Sequence, residues 1–246
     1  MKRTYTFNIN GFEVNAAYDD SAVQDIFLPL LREWTAMQRK KGARLIVFLS
    51  APPGTGKTTL AQFLEHLSGT EDGLTAVQAV GLDGYHYHQA YILSHNTVVD
   101  GQTVPMKAVK GCPETFDAER LKEKLLRMQT EDVLWPVYDR NLHDVVEDVI
   151  SVTKPIVLVE GNWLLYSEGP WQAMRGLCDD SVFIEAESDL LAQRLIERKV
   201  RGGLTREEGE AFYNRSDKRN IERLMARHHE ARTTLVLEAD SGLRRK

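Results

Sequence analysis

A chain of 246 residues with 42% hydrophobic and 27% charged residues has room for one large core, or for one domain with a small appendage. Its net charge of −5 argues against a nucleic-acid surface, and two widely spaced cysteines, Cys112 and Cys178, argue against a disulfide framework or a cysteine-built zinc module. No stretch has the length and apolarity of a membrane span and residues 1–6 lack the apolar run of a signal peptide, so the expected location is the reducing cytoplasm.

The chain opens with alternating apolar residues on either side of Asn10-Gly11: Tyr5, Phe7 and Ile9, then Phe12, Val14 and Ala16. That pattern predicts a β-hairpin. Val23, Ile26, Phe27, Leu30, Leu31, Trp34 and Met37 then recur at helical spacing, predicting an amphipathic helix that ends before Gly42, with Pro29 as a site for a kink or a later start. Arg44 to Leu49 reads as a buried strand, Lys57 to about Leu67 as a helix stopped by Gly69, and Ala76 to Leu82 as a second strand. From Asp83 to Thr115 the pattern is irregular, and loops of that length in a compact domain are usually functional. Asp117 caps a helix carrying Leu121, Leu125 and Leu126. Pro155 to Val159 and Ser181 to Ile184 read as buried strands, Asp189 to Lys199 and Arg219 to Ala231 as helices, and Thr233 to Leu237 as a last strand, followed by a basic tail read as a solvated terminus.

Strands alternating with helices predict an α/β fold: a mostly parallel sheet with helices on both faces, plus the N-terminal β-hairpin and helix. The expected division is residues 1–42 as appendage and 43–246 as the main domain, with a substrate region at 83–148 and a lid at 194–206.

The segment Ala51-Pro52-Pro53-Gly54-Thr55-Gly56-Lys57-Thr58-Thr59 lies between strand and helix, which is the setting of a phosphate-binding P-loop, although Ala51 stands where the pattern has glycine. Inward backbone N–H groups and the helix N-terminus together favour an anion. Residues Pro53 to Thr59 are therefore the candidate nucleotide cradle. Lys57 is expected to reach the outer phosphates and the Thr58 hydroxyl to ligate Mg²⁺.

A P-loop alone does not separate kinase, GTPase and transport ATPase. Asp83 ends a strand at the sheet edge where ligands bind, so it can take a proton from an attacking hydroxyl. Glu160 ends the apolar strand Val157-Leu158-Val159, placing a carboxylate where magnesium is needed. Arg194, Arg198 and Arg201 share one helix face ahead of Gly202-Gly203, the composition of a lid that closes over phosphates. Two further segments, Lys110 to Asp117 and Trp135 to Asp144, are dense in polar and aromatic groups, as substrate pockets are.

Together these segments resemble the phosphoribulokinase, uridine kinase and pantothenate kinase family of P-loop kinases. Lys110-Gly111-Cys112-Pro113-Glu114-Thr115-Phe116-Asp117 resembles a pantothenate-kinase pattern, and Pro136-Val137-Tyr138-Asp139 a uridine-kinase segment. The loop at 51–57 and the Val-Glu-Gly-Asn-Trp-Leu-Leu run at 159–165 are similar to a short bacterial subgroup described as nucleoside kinase-like or fructose-transport-system kinases. The resemblance covers about residues 44 to 240. It implies ATP and Mg²⁺ as cofactors, with Asp83 as general base and Lys57, Arg198 and Arg201 assisting catalysis. It further implies Thr58 and Glu160 at the metal, Asn220 near the adenine, and His86, Lys110, Tyr138, Arg140 and His143 around the acceptor. The implied reaction moves the γ-phosphate to a hydroxyl of a sugar, a nucleoside or a pantothenate-like alcohol.

A second reading is a nucleotide-dependent regulatory protein with a kinase-like fold. GTPase base-reading and ABC-type signature segments are missing from the sequence, and the acidic charge disfavours a nucleic-acid-end kinase. The expected partner is a small molecule, with neither nucleic acid nor membrane, and the hairpin offers an edge through which a homodimer can pair.

Overall fold

The computed structural model describes residues 2–9 and 12–246. Strands β1 (Lys2–Ile9) and β2 (Phe12–Asp19) pair antiparallel in the expected hairpin, while Asn10-Gly11 at its turn lie outside the described residues. A continuous helix over residues 20–41 follows, and Gly42 ends it with φ of 66°. Pro29 neither breaks nor delays it. A wider π turn, Val23–Phe27, ends two residues before the proline, where the missing N–H removes a helical rung.

Six strands build the main sheet in the order β12-β11-β10-β3-β9-β4. They are β3 (Leu45–Ser50), β4 (Val77–Gly81), β9 (Ile156–Gly161), β10 (Asp180–Ala186), β11 (Thr233–Leu237) and β12 (Leu243–Arg245). All pairings are parallel except that of β11 with β12. Every residue of β3 and β9 is buried. Both faces of these strands are covered, which is why they read as unbroken apolar runs.

The period of two then sorts the core into two halves. Leu45, Val47 and Leu49 face Trp34, Leu60, Phe63 and Leu64, while Ile46 and Phe48 face Leu121, Leu125, Trp135 and Trp163. Each fully buried side chain of this size contributes roughly 1.5–3 kcal/mol. Trp34 also donates from Nε1 to Asp180 Oδ2 at 2.7 Å, tying the N-terminal helix to β10.

Several elements depart from expectation. The helix after the P-loop runs through Gly69 to Thr70. Residues 83–115 are ordered as the turn Leu82–Tyr85, the helix Gln89–Ser94 and a hairpin of β5 (Asn96–Val99) with β6 (Gln102–Pro105). The segment 135–144 belongs to a second hairpin, β7 (Val133–Asp139) with β8 (Asp144–Val152), which accommodates Pro136 at a register shift between Trp135 and Val137. The last helical stretch starts at Arg206, not near Arg219, behind a capping box of Thr205 and Glu208, and ends at Ala226. The tail is not merely solvated: β12 pairs with β11. Among the described residues, no helix is long and apolar enough to cross a membrane.

Candidate active site

The parallel register brings the ends of three strands level: Leu49 and Gly81 both align with Glu160. Chemistry-bearing residues from separate parts of the chain therefore meet at one edge of the sheet.

The P-loop leaves β3 at Ala51, whose methyl is fully buried in the core beneath the loop. That packing explains why alanine is accommodated there. Gly54 adopts φ of 88°, and a Cβ on it would meet Leu195 Cγ at 3.1 Å, so both backbone and neighbour demand glycine. Thr55 Oγ1 donates to the Pro52 carbonyl at 3.0 Å, and Arg194 Nη1 donates to the Gly54 carbonyl at 3.1 Å. The loop is thus braced from within and from the helix Ser188–Arg201.

Lys57 and Thr58 open the next helix, Lys57–Thr70. Thr58 Oγ1 donates to Glu160 Oε1 at 2.9 Å, while Glu160 Oε2 is buried with no hydrogen-bond partner. Burial pushes the Glu160 carboxyl above the usual range, Lys57 pulls it back, and Asp83 pushes it up again. A buried, orphaned carboxylate oxygen beside a threonine hydroxyl is a hard-oxygen donor set suited to magnesium, which keeps several waters of its own.

Asp83 lies exposed on the turn after β4. The next residue fixes where that turn sits: a Cβ on Gly84 would lie 2.2 Å from the Pro136 carbonyl oxygen. Only glycine lets β7 close on the turn. Trp135 Nε1 donates to the Gly81 carbonyl at 2.9 Å, and Arg120 Nη2 to the Gly84 carbonyl at 2.9 Å, completing the clamp. The resulting cleft, of about 280 Å³, is lined by Thr58, Asp83, Tyr138, Arg140 and Glu160 among others.

Lys110 joins this group through Tyr138. Its ammonium donates to the Tyr138 hydroxyl at 2.9 Å and to Gln89 Oε1 at 2.5 Å. Gln89 was not anticipated from the sequence. His86 stands behind Tyr138, buried, with its ring 3.8 Å from Phe116 and 5.4 Å from Tyr138 between centroids. Burial lowers its pKa, with the nearby Asp83 opposing, so its ring is a neutral wall and not a cation. Its Nδ1 lies 3.0 Å from the Asp83 carbonyl oxygen.

Arg198, on the helix Ser188–Arg201, reaches solvent yet is partly desolvated, which lowers its pKa. The Asp217 carboxylate opposes that shift, and the charges of Arg140, Asp83 and Arg201 are also felt there. Asp217 was missed by sequence reasoning. Burial raises its pKa against the pull of Arg198 and Lys199, and its Oδ2 has no hydrogen-bond partner. It sits inside a helix, away from any strand end or glycine turn that could have flagged it.

His143 and Arg201 lie outside the lining of this cleft, and Asn220, expected near the adenine, sits elsewhere. His143 is exposed on the turn between β7 and β8, with φ of 54°. Arg201 is exposed at the C-terminal end of the helix Ser188–Arg201. Asn220 is buried against Cys112, whose Sγ donates to Asn220 Oδ1 at 3.0 Å, and lies beside Gly111 on the acceptor-side loop.

Comparison with known proteins places this geometry in context. No protein-family model matches the chain. The uncharacterized Escherichia coli protein YggC is 41% identical over 231 residues, covering 94% of this chain and 93% of that protein. A candidate uridine kinase of Schizosaccharomyces pombe is 29% identical over 189 residues, covering 74% and 77%. Among solved structures, a candidate fructose transport system kinase from Silicibacter sp. TM1040 superposes with a TM-score of 0.69 at 26% identity, covering 78% of this chain and 89% of that one.

Proposed function

The chain belongs to the P-loop kinases, and we propose that it transfers the γ-phosphate of ATP to a hydroxyl of a small metabolite. The observation that carries this reading is the cleft in which Asp83 faces the Thr58–Glu160 pair beside the P-loop. A hydrolase would need only a water there. Here an aromatic and cationic wall, Tyr138 with Lys110 and Arg140, is built opposite the phosphate loop and suits a polar organic acceptor.

In this proposal the backbone N–H groups of the loop and Lys57 hold the phosphates. Thr58 and Glu160 would hold magnesium, which offsets the charge of the phosphates when bound. Asp83 accepts the proton of the acceptor hydroxyl, its carboxylate remaining exposed at the cleft until substrate covers it. Arg198 swings with the lid helix to neutralise charge that develops during transfer, and Asp217 holds the lid cations in place. Tyr138 and Lys110 orient the acceptor, with His86 as a neutral backing. The same reading places the protein in the cytoplasm, where Cys112 and Cys178 stay as free thiols.

The deciding experiment follows ADP formation with Mg·ATP across sugars, nucleosides and pantothenate. The expected result is acceptor-dependent ADP release that falls roughly 10²–10⁴-fold in Asp83→Asn with ATP affinity retained, and vanishes in Lys57→Ala. ADP release indifferent to every acceptor overturns the kinase assignment, and acceptor-dependent release undiminished in Asp83→Asn overturns Asp83 as the base.

A further inference from the structure

A second cleft, of about 400 Å³, meets the P-loop at Thr55, Gly56 and Thr59, whereas the cleft holding Asp83 and Glu160 meets it at Thr58. The phosphate loop therefore lies between two openings. If the γ-phosphate faces Asp83, the α-phosphate and whatever it carries face the second cleft. This step rests on the kinase reading above.

The N-terminal hairpin closes that second cleft. Ala16, Ala17 and Tyr18 line it, opposite Arg194 and Ser241. Lys2 Nζ donates to the Asp240 carbonyl at 3.3 Å, holding the hairpin against the loop that follows β11. Arg194 links the loop to this wall: Nη1 binds the Gly54 carbonyl, and Nη2 donates to Ser241 Oγ at 3.2 Å.

Tyr18 is the residue with unused capacity. Its ring is stacked on Phe63 at 4.4 Å and set edge-on to Phe27 at 5.2 Å, so its position is fixed by packing. Tyr18 lines the cleft together with Arg194. Among the described residues its hydroxyl has no hydrogen-bond partner. Burial raises its pKa, so it stays a neutral phenol able to donate or accept.

We propose that the hairpin is a wall of the nucleotide site, and that Tyr18 hydrogen-bonds the nucleoside half of a nucleoside triphosphate in this cleft. The hairpin then sets which nucleotide is used as well as adding to the core.

Calorimetric titration of the full chain with Mg²⁺ tests this, using ATP, GTP and inorganic triphosphate as probes. Tyr18→Phe keeps the ring stack and removes only the hydroxyl. It is expected to weaken ATP about 3- to 10-fold, one neutral hydrogen bond, and to leave triphosphate within about twofold. Ala16→Leu, which fills the cleft, is expected to weaken ATP more than Tyr18→Phe and to shift the ATP:GTP ratio. Unchanged ATP affinity in Tyr18→Phe overturns the proposal. So does an equal loss of ATP and triphosphate, or a wild-type protein that binds ATP no better than triphosphate. If the wild type binds neither probe and Lys57→Ala changes nothing, the P-loop reading itself has failed and takes this one with it.

Discussion

The two sides of the cleft are built by different physics. On the proposed phosphate side, β3, the loop and the helix Lys57–Thr70 are contiguous in sequence, and the binding groups would be mostly backbone N–H groups. On the proposed acceptor side, Asp83 and Lys110 come from turns, Gln89 from a helix start and Tyr138 and Arg140 from the β7–β8 hairpin, and the side chains are held in place by other side chains. The first kind of site is robust to distant change and readable from spacing. The second depends on long-range closures, so single substitutions far from the chemistry can dismantle it. Glu160 is where the two sides meet, and three substitutions, at Glu160, Gly84 and His143, can break or sharpen that contrast.

The largest effect is expected at Glu160, where function and stability should move in opposite directions. Glu160→Gln keeps an oxygen for the Thr58 hydroxyl but removes the charge beside the proposed metal. Activity is expected to fall about 10- to 100-fold or more. Stability should rise. The folded-state pKa of Glu160 lies above its ordinary value of 4.5 because of burial, so the folded protein holds that proton more tightly than the unfolded chain does. The wild type thus loses stability relative to the variant as pH climbs from about 4.5 through the raised value, and the two converge below it. Thermal melts without metal should show the variant ahead at pH 8 by about 2–4 °C for each kcal/mol of relieved penalty, with no advantage at pH 4. A variant less stable at pH 8 would mean that the buried carboxylate is held by contacts the fold already supplies.

Next in size is Gly84→Ala, which addresses the acceptor side alone. The added methyl meets the Pro136 carbonyl at 2.2 Å, so β7 must move off the Asp83 turn. Overpacking of this kind costs about 1–3 kcal/mol. The acceptor KM is expected to rise at least about tenfold, because a displacement near 1 Å misplaces reacting groups, while ATP affinity stays within about twofold. Parallel loss of ATP binding would show that the two sides are one mechanical unit.

The same contrast explains what could be read from the sequence. The P-loop, the strand ending in Glu160 and the strand leading to Asp83 were visible because buried parallel strands write continuous apolar runs and the loop writes glycines at fixed spacing. The β7–β8 hairpin was hidden by Pro136, which demotes a strand until the bulge beside it is seen. The β5–β6 hairpin carried a turn signal in Asp100-Gly101, both with positive φ, but its strands are only four residues long. The resemblance implied Asn220 near the adenine, and nothing in the sequence pointed to its contact with Cys112. The closure of residues 83–148 over the sheet edge is a long-range event, and no local pattern encodes which hairpin faces which turn. Tyr18 illustrates the limit from the other direction: it lies just past the alternation of residues 5–16 that announced the hairpin, and that pattern does not say the strand would stand beside the P-loop.

The smallest effect is expected at His143, and it tests whether the hairpin tip takes part at all. The residue sits exposed at the β7–β8 turn, outside the residues that line the cleft. Its positive φ of 54° makes alanine a poor probe, since a left-handed alanine carries its own cost of roughly 1–2 kcal/mol. His143→Asn preserves the turn, because asparagine visits that region readily. Acceptor kcat/KM is expected to change less than about twofold. A loss of tenfold or more, with the thermal midpoint unmoved, would mean that the tip bends onto the bound acceptor. The acceptor side would then be a closing jaw, with β7–β8 moving opposite the lid helix, and the fixed side of the site would be the phosphate loop alone.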